Sequence, residues 1–214
     1  VDTLLDMQLH PHPDELGRSV LIRRPSKPTE LWTWNDPNRL ASVAPAGDMP
    51  PSLNGVMFQA WEDPPSSIAG WEALARASSV DEPIFSPPKG LAPAAGVVIQ
   101  EADGRIWMVC PTNQFAGYEV TFPKGRPDGK TLQAAALTEA FEESGLQVRL
   151  LKHLIDVRRT QSYTRYYLAE RIGGTPSVMG WESQSVMLVP KAQIAELQLN
   201  APDKLILAGL LGAD

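Results

Sequence analysis

The chain has few of the residues that form covalent or metal staples: one cysteine, Cys110, and three histidines in 214 residues. A single thiol closes no intramolecular disulfide, and no Cys/His cluster has zinc-ligand spacing, so a disulfide framework and a zinc finger are both excluded. Cysteine usage this low fits a reducing compartment, and the expected location is the cytoplasm. Long apolar runs are also missing. No stretch approaches the ~18 residues of a spanning helix, and no membrane partner is expected. Val1 to His10 lacks the basic flank and apolar stretch of a signal peptide. Positive charge is in deficit, with 19 Lys and Arg against 25 Asp and Glu and a formal net charge of −6. That balance argues against a nucleic-acid polymer as partner. It permits a small phosphorylated substrate, because a few placed cations dominate the field inside a pocket.

What is present is unevenly spread. Fourteen of the 20 prolines fall before residue 94, together with Trp32, Trp34, Trp61 and Trp71. Proline disfavours long helices and central strands, whereas four tryptophans are too many for a flexible linker. Residues 1–90 are therefore expected to form an irregular Pro/Trp-rich arm. Its aromatics should pack on the rest of the chain or on a second subunit, a homodimer. One short helix is expected in it, from Ile68 to Ala77, capped by Ser67.

Residues 91–214 have a different texture. Ala95–Gln100 and Ile106–Cys110 read as a hairpin about the Asp103-Gly104 turn. Tyr118–Phe122, Gln147–Ile155 and Ser162–Glu170 read as further strands. A helix is expected from about Thr131 to Ser144, with Gly145 in the left-handed C′ position. Lys191–Leu199 and Asp203–Leu211 have helical patterns. Short connections between alternating strands and helices favour an α/β layered domain.

The 131–144 helix carries the most chemistry. Glu139, Glu142 and Glu143 are spaced to project over one side, and Leu132, Ala136 and Ala140 form a separate row of small apolar residues. Three carboxylates near a helix C-terminus repel one another and oppose the dipole. They are either a solvated acidic face or a divalent-cation site, since magnesium prefers carboxylate oxygens and bridges to phosphates.

The stretch Gly125–Gly145 resembles the Nudix box: a glycine, five residues, Glu, seven residues, then Arg-Glu-apolar-x-Glu-Glu-x-Gly-apolar. Glu139, Ala140, Glu142, Glu143, Gly145 and Leu146 match its second half in register. The first half is one residue short, its Glu falls at Lys130 or Thr131, and Thr138 stands where the family has Arg. Phe122-Pro-Lys-Gly125, Thr164–Leu168 and Val186–Pro190 are similar to other family segments. The resemblance implies a mixed-sheet α/β/α sandwich over residues 94–210 that hydrolyses a pyrophosphate bond in a nucleoside diphosphate derivative, of the ADP-ribose or dinucleoside polyphosphate class. It implies Mg2+, with Mn2+ as an alternative ion, held by the Gly125 carbonyl, Glu139 and Glu143. Glu142 would share the ion or relay a proton, and Glu182 would be a further catalytic carboxylate. Without the Arg, the carboxylates are expected to lack a nearby counter-charge.

Lys124 and Arg126 flank Gly125, within reach of phosphates held near an ion; Arg159 and Arg165 are further substrate-binding candidates. For Arg158, Arg159 and Arg165, surface solvation is the plainer reading. Trp107, Tyr118, Tyr166 and Tyr167 are candidates for stacking on a base or for ordinary packing. His10, His12 and His153 read as structural or surface residues, and Cys110 as a small buried hydrophobe. Three other readings stay open: an inositol-pyrophosphate hydrolase, a nucleotide sensor with little turnover, and an interaction module working through the arm.

Overall fold

The computed structural model describes residues 7–212, so Val1–Asp6 and Ala213–Asp214 lie outside it. The strands are β1 (Gln8–Leu9), β2 (Leu21–Ile22), β3 (Ala41–Val43), β4 (Ser52–Leu53), β5 (Val56–Met57), β6 (Ala92–Gln100), β7 (Ile106–Pro111), β8 (Lys124–Gly125), β9 (Leu146–Arg158), β10 (Ser162–Gly174) and β11 (Ser183–Val189). The helices are α1 (Ile68–Ala77), α2 (Leu132–Ser144), α3 (Lys191–Ile194) and α4 (Ala201–Leu211). Seven strands form one mixed sheet in the order β3-β11-β7-β6-β10-β9, with β8 beside β6. β6 and β10 run parallel, and the other pairings in this sheet are antiparallel.

Successive side chains on a strand point to opposite faces, and here that alternation divides two cores. Val97, Ile99, Trp107 and Val109 pack with Ala136 and Ala140 of α2. Val98, Ile106 and Met108 pack on the other face with Ile206, Leu207 and Leu210 of α4. The result is the expected mixed-sheet α/β/α sandwich.

Helix α2 begins where a cap is available: Thr131 Oγ1 accepts from the Ala134 amide at 3.3 Å. It ends on Gly145 at φ +70°, a conformation that favours glycine. Its burial exceeds the single apolar row read from sequence, because Ala134, Ala135 and Leu137 are buried as well. The reason is a second cover. α1, capped by Ser67 as expected, lies against α2, and Trp61 and Trp71 pack round Phe141 with ring centroids 5.3 and 6.2 Å away.

Two expected elements differ. Tyr118–Phe122 is not a strand: Thr121 makes one bridge to Val109, and the regular pairing comes later, at β8. Pro123 offers no N–H to a ladder, but its carbonyl accepts from Val97 N at 3.0 Å, which swings Lys124 and Gly125 alongside β6. The helix expected through Leu199 stops at Ile194. The chain has to leave helical geometry so that extended Asn200 can cap α4, its side chain accepting from the Asp203 amide at 3.0 Å.

Residues before β6 are bound to the sheet at several points. β3 adds an edge strand to β11. Trp34, fully buried, lies 5.7 Å from Trp107 and 6.0 Å from Phe58 between ring centroids. Arg105, only 1 % exposed, donates to the carbonyls of Trp34 at 2.6 Å and of Thr33 and Asp36 at 3.2 Å. Arg171 pairs with the buried Glu101 carboxylate and reaches the Leu53 carbonyl at 2.9 Å. Trp32 differs from the other arm tryptophans: it is exposed, with the Arg39 guanidinium 6.0 Å from its ring.

Candidate functional site

Three elements meet at the C-terminal end of α2. The first is β8, whose pairing places Gly125 opposite Ala95 and Lys124 opposite Gly96. Gly96 is required there: a Cβ would stand 2.6 Å from both the Pro123 carbonyl and the Tyr166 ring. The second is α2 itself. The third is the loop into β11, fixed by the Gly180 amide donating to the Glu142 carbonyl at 2.8 Å. Thr112 clasps the same loop, its amide on the Glu182 carbonyl at 2.7 Å and its hydroxyl on the Trp181 carbonyl at 2.8 Å. Between them opens a cleft of about 860 Å³ lined by Lys124, Gly125, Arg126, Glu143, Arg159 and Glu182, among others.

The three helix carboxylates do not share one environment. Glu143 is buried, Glu139 half-buried and Glu142 exposed. Glu139 lies directly against Gly125, so that any Cβ at this position would collide with its carboxyl group. Burial, then the charges of Glu143, Glu142 and Glu182, hold the Glu139 carboxyl well above the ordinary carboxylate range. Burial also raises Glu143, offset by the Lys124 ammonium and by a hydrogen bond from the Lys124 amide. Glu142 and Glu182 stand close enough to feel each other's charge.

Thr138 is 2 % exposed and spends its hydroxyl on the Ala134 carbonyl at 2.9 Å, so it offers no charge to the carboxylates. Lys124 on β8 offsets part of their repulsion, but both carboxyls stay raised. At the start of α2, where Lys130 and Thr131 stand, a carboxylate arrives from far away in sequence. Glu72 of α1 accepts from the Thr131 amide at 2.6 Å and from its hydroxyl at 3.1 Å.

A divalent cation suits the chemistry of this donor set. Two carboxylates one helical turn apart, the Glu139 carboxyl lodged against a glycine that leaves room for it, favour a hard cation with oxygen ligands. Among the described residues no three acidic, imidazole or thiol side chains converge on one point. Glu139 and Glu143 with the Gly125 carbonyl would therefore leave positions for water and for phosphate oxygens.

The arginine candidates separate. Arg159 is 6 % exposed and lines the cleft. Arg165, 1 % exposed, does not reach it. Its guanidinium binds both Asp156 oxygens at 2.7 Å and the Pro83 carbonyl at 2.8 Å, 4.8 Å from the Phe85 ring. It alternates with Thr164 and Tyr166 and so faces away from the cleft. Neither arginine is solvated; Arg158 is exposed. Trp107, Tyr166 and Tyr167 are fully buried and offer no surface for stacking. Tyr118 does line the cleft, with Phe115 and Trp181, which sequence reasoning missed. Trp181 had one signal, its place beside Glu182; Phe115 had none, because its 78 % exposure is a product of the turn that carries it. Cys110, its thiol pushed up to about 12 by burial, is inert packing. His10 is buried, with its ring on the Ser183 carbonyl at 3.2 Å, and His153 pairs with Asp156 at 3.1 Å.

Residues 90–210 match the NUDIX domain. An RNA pyrophosphohydrolase of Caulobacter vibrioides is 34 % identical over 95 residues, covering 43 % of this chain and 52 % of that protein. The chain thus spans about half the length of the curated relatives it matches. Among solved structures, a Caenorhabditis elegans Ap4A hydrolase complex is 18 % identical with a TM-score of 0.47, over 56 % of this chain and 96 % of the other. An ADP-ribose pyrophosphatase from Streptococcus suis is 16 % identical with a TM-score of 0.46, over 57 % and 92 %.

Proposed function

Because the chain belongs to the NUDIX family through residues 90–210, we propose that it is a divalent-cation-dependent pyrophosphohydrolase of nucleoside diphosphate derivatives, with Mg2+ as the working ion. The observation that carries the reading is the carboxyl of Glu139 set against Gly125, one helical turn from Glu143, at the edge of a cleft that presents Glu143, Lys124, Arg126 and Arg159. Phe115, Tyr118 and Trp181 in the cleft wall support a nucleobase-bearing substrate over an inositol polyphosphate, since aromatic faces contribute about 1–3 kcal/mol per stacked base.

When bound, a divalent cation neutralises phosphate charge and acidifies a water. The protein's own groups do the rest. Glu139, Glu143 and the Gly125 carbonyl hold the ion. Lys124 and Arg126 draw in the phosphates. Glu182, on the cleft wall, accepts the proton of the attacking water, and exposed Glu142 beside it passes that proton to solvent. A magnesium-dependent panel of nucleoside diphosphate sugars, dinucleoside polyphosphates, 5′-triphosphorylated RNA and inositol pyrophosphates, with products weighed by mass spectrometry, tests the reading. Tight binding without turnover of any of them replaces it with a sensor.

Two expectations follow from the carboxylate pair. Both groups bind protons more tightly folded than unfolded, so their ionisation lowers stability progressively as pH rises from the ordinary carboxylate range through their raised values. A cation reverses that loss. Magnesium at about 100-fold its Kd is expected to add about 2.7 kcal/mol, or roughly 5–10 °C in Tm. The shift should be larger at about pH 8.5 than at about pH 6, where protons compete. Calorimetry checks this, and a shift of equal size at both values counts against the pair as ion ligands. Gly125→Ala, whose methyl group displaces the Glu139 carboxyl, is expected to lower kcat about 100-fold. Wild-type kcat in that variant would place the ion elsewhere.

A further inference from the structure

The cleft contains a cation with unfinished hydrogen bonding. Arg159 Nη2 donates to Asp203 of α4 and, at 2.7 Å, to the Tyr166 hydroxyl. Its Nε and Nη1 are buried and meet no acceptor among the described residues. The deficit is on the donor side alone. Asp203, with no exposure, also accepts from the Thr121 hydroxyl at 2.8 Å and the Asn200 amide at 2.6 Å, so its carboxylate is fully supplied. Buried polar groups in folded proteins are normally paired, and a guanidinium with two idle nitrogens calls for an acceptor that arrives from outside.

The surroundings say where that acceptor comes from. The Tyr118 ring lies 5.9 Å from the Arg159 guanidinium carbon and 5.2 Å from Lys124 Nζ, so one ring on the cleft wall is in contact range of two cations. Lys124 lies within electrostatic reach of Glu139 and Glu143, and its amide donates to Glu143. Arg159 is a separate anchor, held from behind by α4. On the hydrolase reading above, on which this step rests, we infer that Arg159 receives a phosphate other than the one drawn in by Lys124 and Arg126. The cleft then selects substrates with a run of three or more phosphates over simple diphosphates. Tyr118 marks the boundary between the two positions, and the entering phosphate displaces its ring from the guanidinium.

The test needs neither ion nor turnover. Inorganic tripolyphosphate and pyrophosphate are titrated calorimetrically into the full chain in the presence of a chelator. Tripolyphosphate should bind about tenfold tighter than pyrophosphate, and Arg159→Lys should weaken tripolyphosphate about tenfold, to the level of pyrophosphate, while leaving pyrophosphate nearly unchanged. Lysine keeps the charge but loses the planar donor set, so a role through long-range charge alone would leave both affinities as they were. Should the lysine variant not fold, the Arg159 Nε–H resonance of the unaltered chain decides, since tripolyphosphate and not pyrophosphate should shift it. A folded Arg159→Lys that binds tripolyphosphate as tightly as the unaltered chain, or a resonance unmoved at saturation, overturns the assignment. Failure here leaves the hydrolase reading standing, and a silent hydrolysis panel leaves this anion site standing.

Discussion

Glu143→Gln and Glu142→Gln are each expected to lower hydrolysis about 10²- to 10⁴-fold, yet neither should weaken the fold. Glu143 is buried beside Glu139, and its charge is unfavourable there in the absence of an ion. Glutamine keeps the shape and can still accept from the Lys124 amide while removing that repulsion. The Glu143→Gln protein should therefore melt at or above the wild-type temperature at about pH 8 without magnesium, and the stabilisation by magnesium should shrink. Glu142 is exposed, so its substitution should leave the melting curve almost unmoved. Activity lost together with stability would mark these side chains as packing residues. Wild-type turnover in both variants would remove them from the reaction.

The largest effect on stability is expected in the arm. Trp34→Ala takes a fully buried indole from between Trp107 and Phe58 and should cost about 3–5 kcal/mol. Deleting residues 1–90 should do more. It removes the partner of β11 along one edge of the sheet, uncovers Trp107, and strips the carbonyl acceptors from Arg105 and Arg171. The truncated chain is expected to aggregate or to melt at least roughly 10 °C lower. Sedimentation velocity and a thermal melt read the outcome. A monomeric 91–214 fragment with an unchanged melting temperature would show that the arm lends nothing to the sheet.

Local signals carried much of this molecule. Ser67, Thr131 and Gly145 mark helix ends by their own side-chain or backbone chemistry, and α1 and α2 fall within a residue of where those residues put them. What could not be read was the pairing of distant residues. Arg159 and Arg165 are the same residue type six positions apart, but strand parity and a partner in α4 turn one to the cleft, while Asp156 and the arm hold the other on the opposite face. Glu72 gives no hint that it closes the start of α2, 59 residues on. Trp107 reads equally well as a stacking platform until Trp34 is seen against it.

The edge strand β3 has a consequence for synthesis. Its hydrogen-bonding partner, β11, ends 146 residues later in the chain, at Val189. At about 5–20 residues per second, the ribosome extrudes the arm roughly 7–30 s before the strand that receives it. Trp34 lacks Trp107 until the chain has grown 73 residues beyond it, and throughout the interval β3 lacks the strand it pairs with, so the nascent segment must stay unaggregated before its fold is complete. Its prolines are suited to that wait, because a chain so interrupted pairs poorly with other extended chains. Ribosome-associated holdases should therefore crosslink most strongly to residues around Trp34 and release them only after Val189 has cleared the exit tunnel.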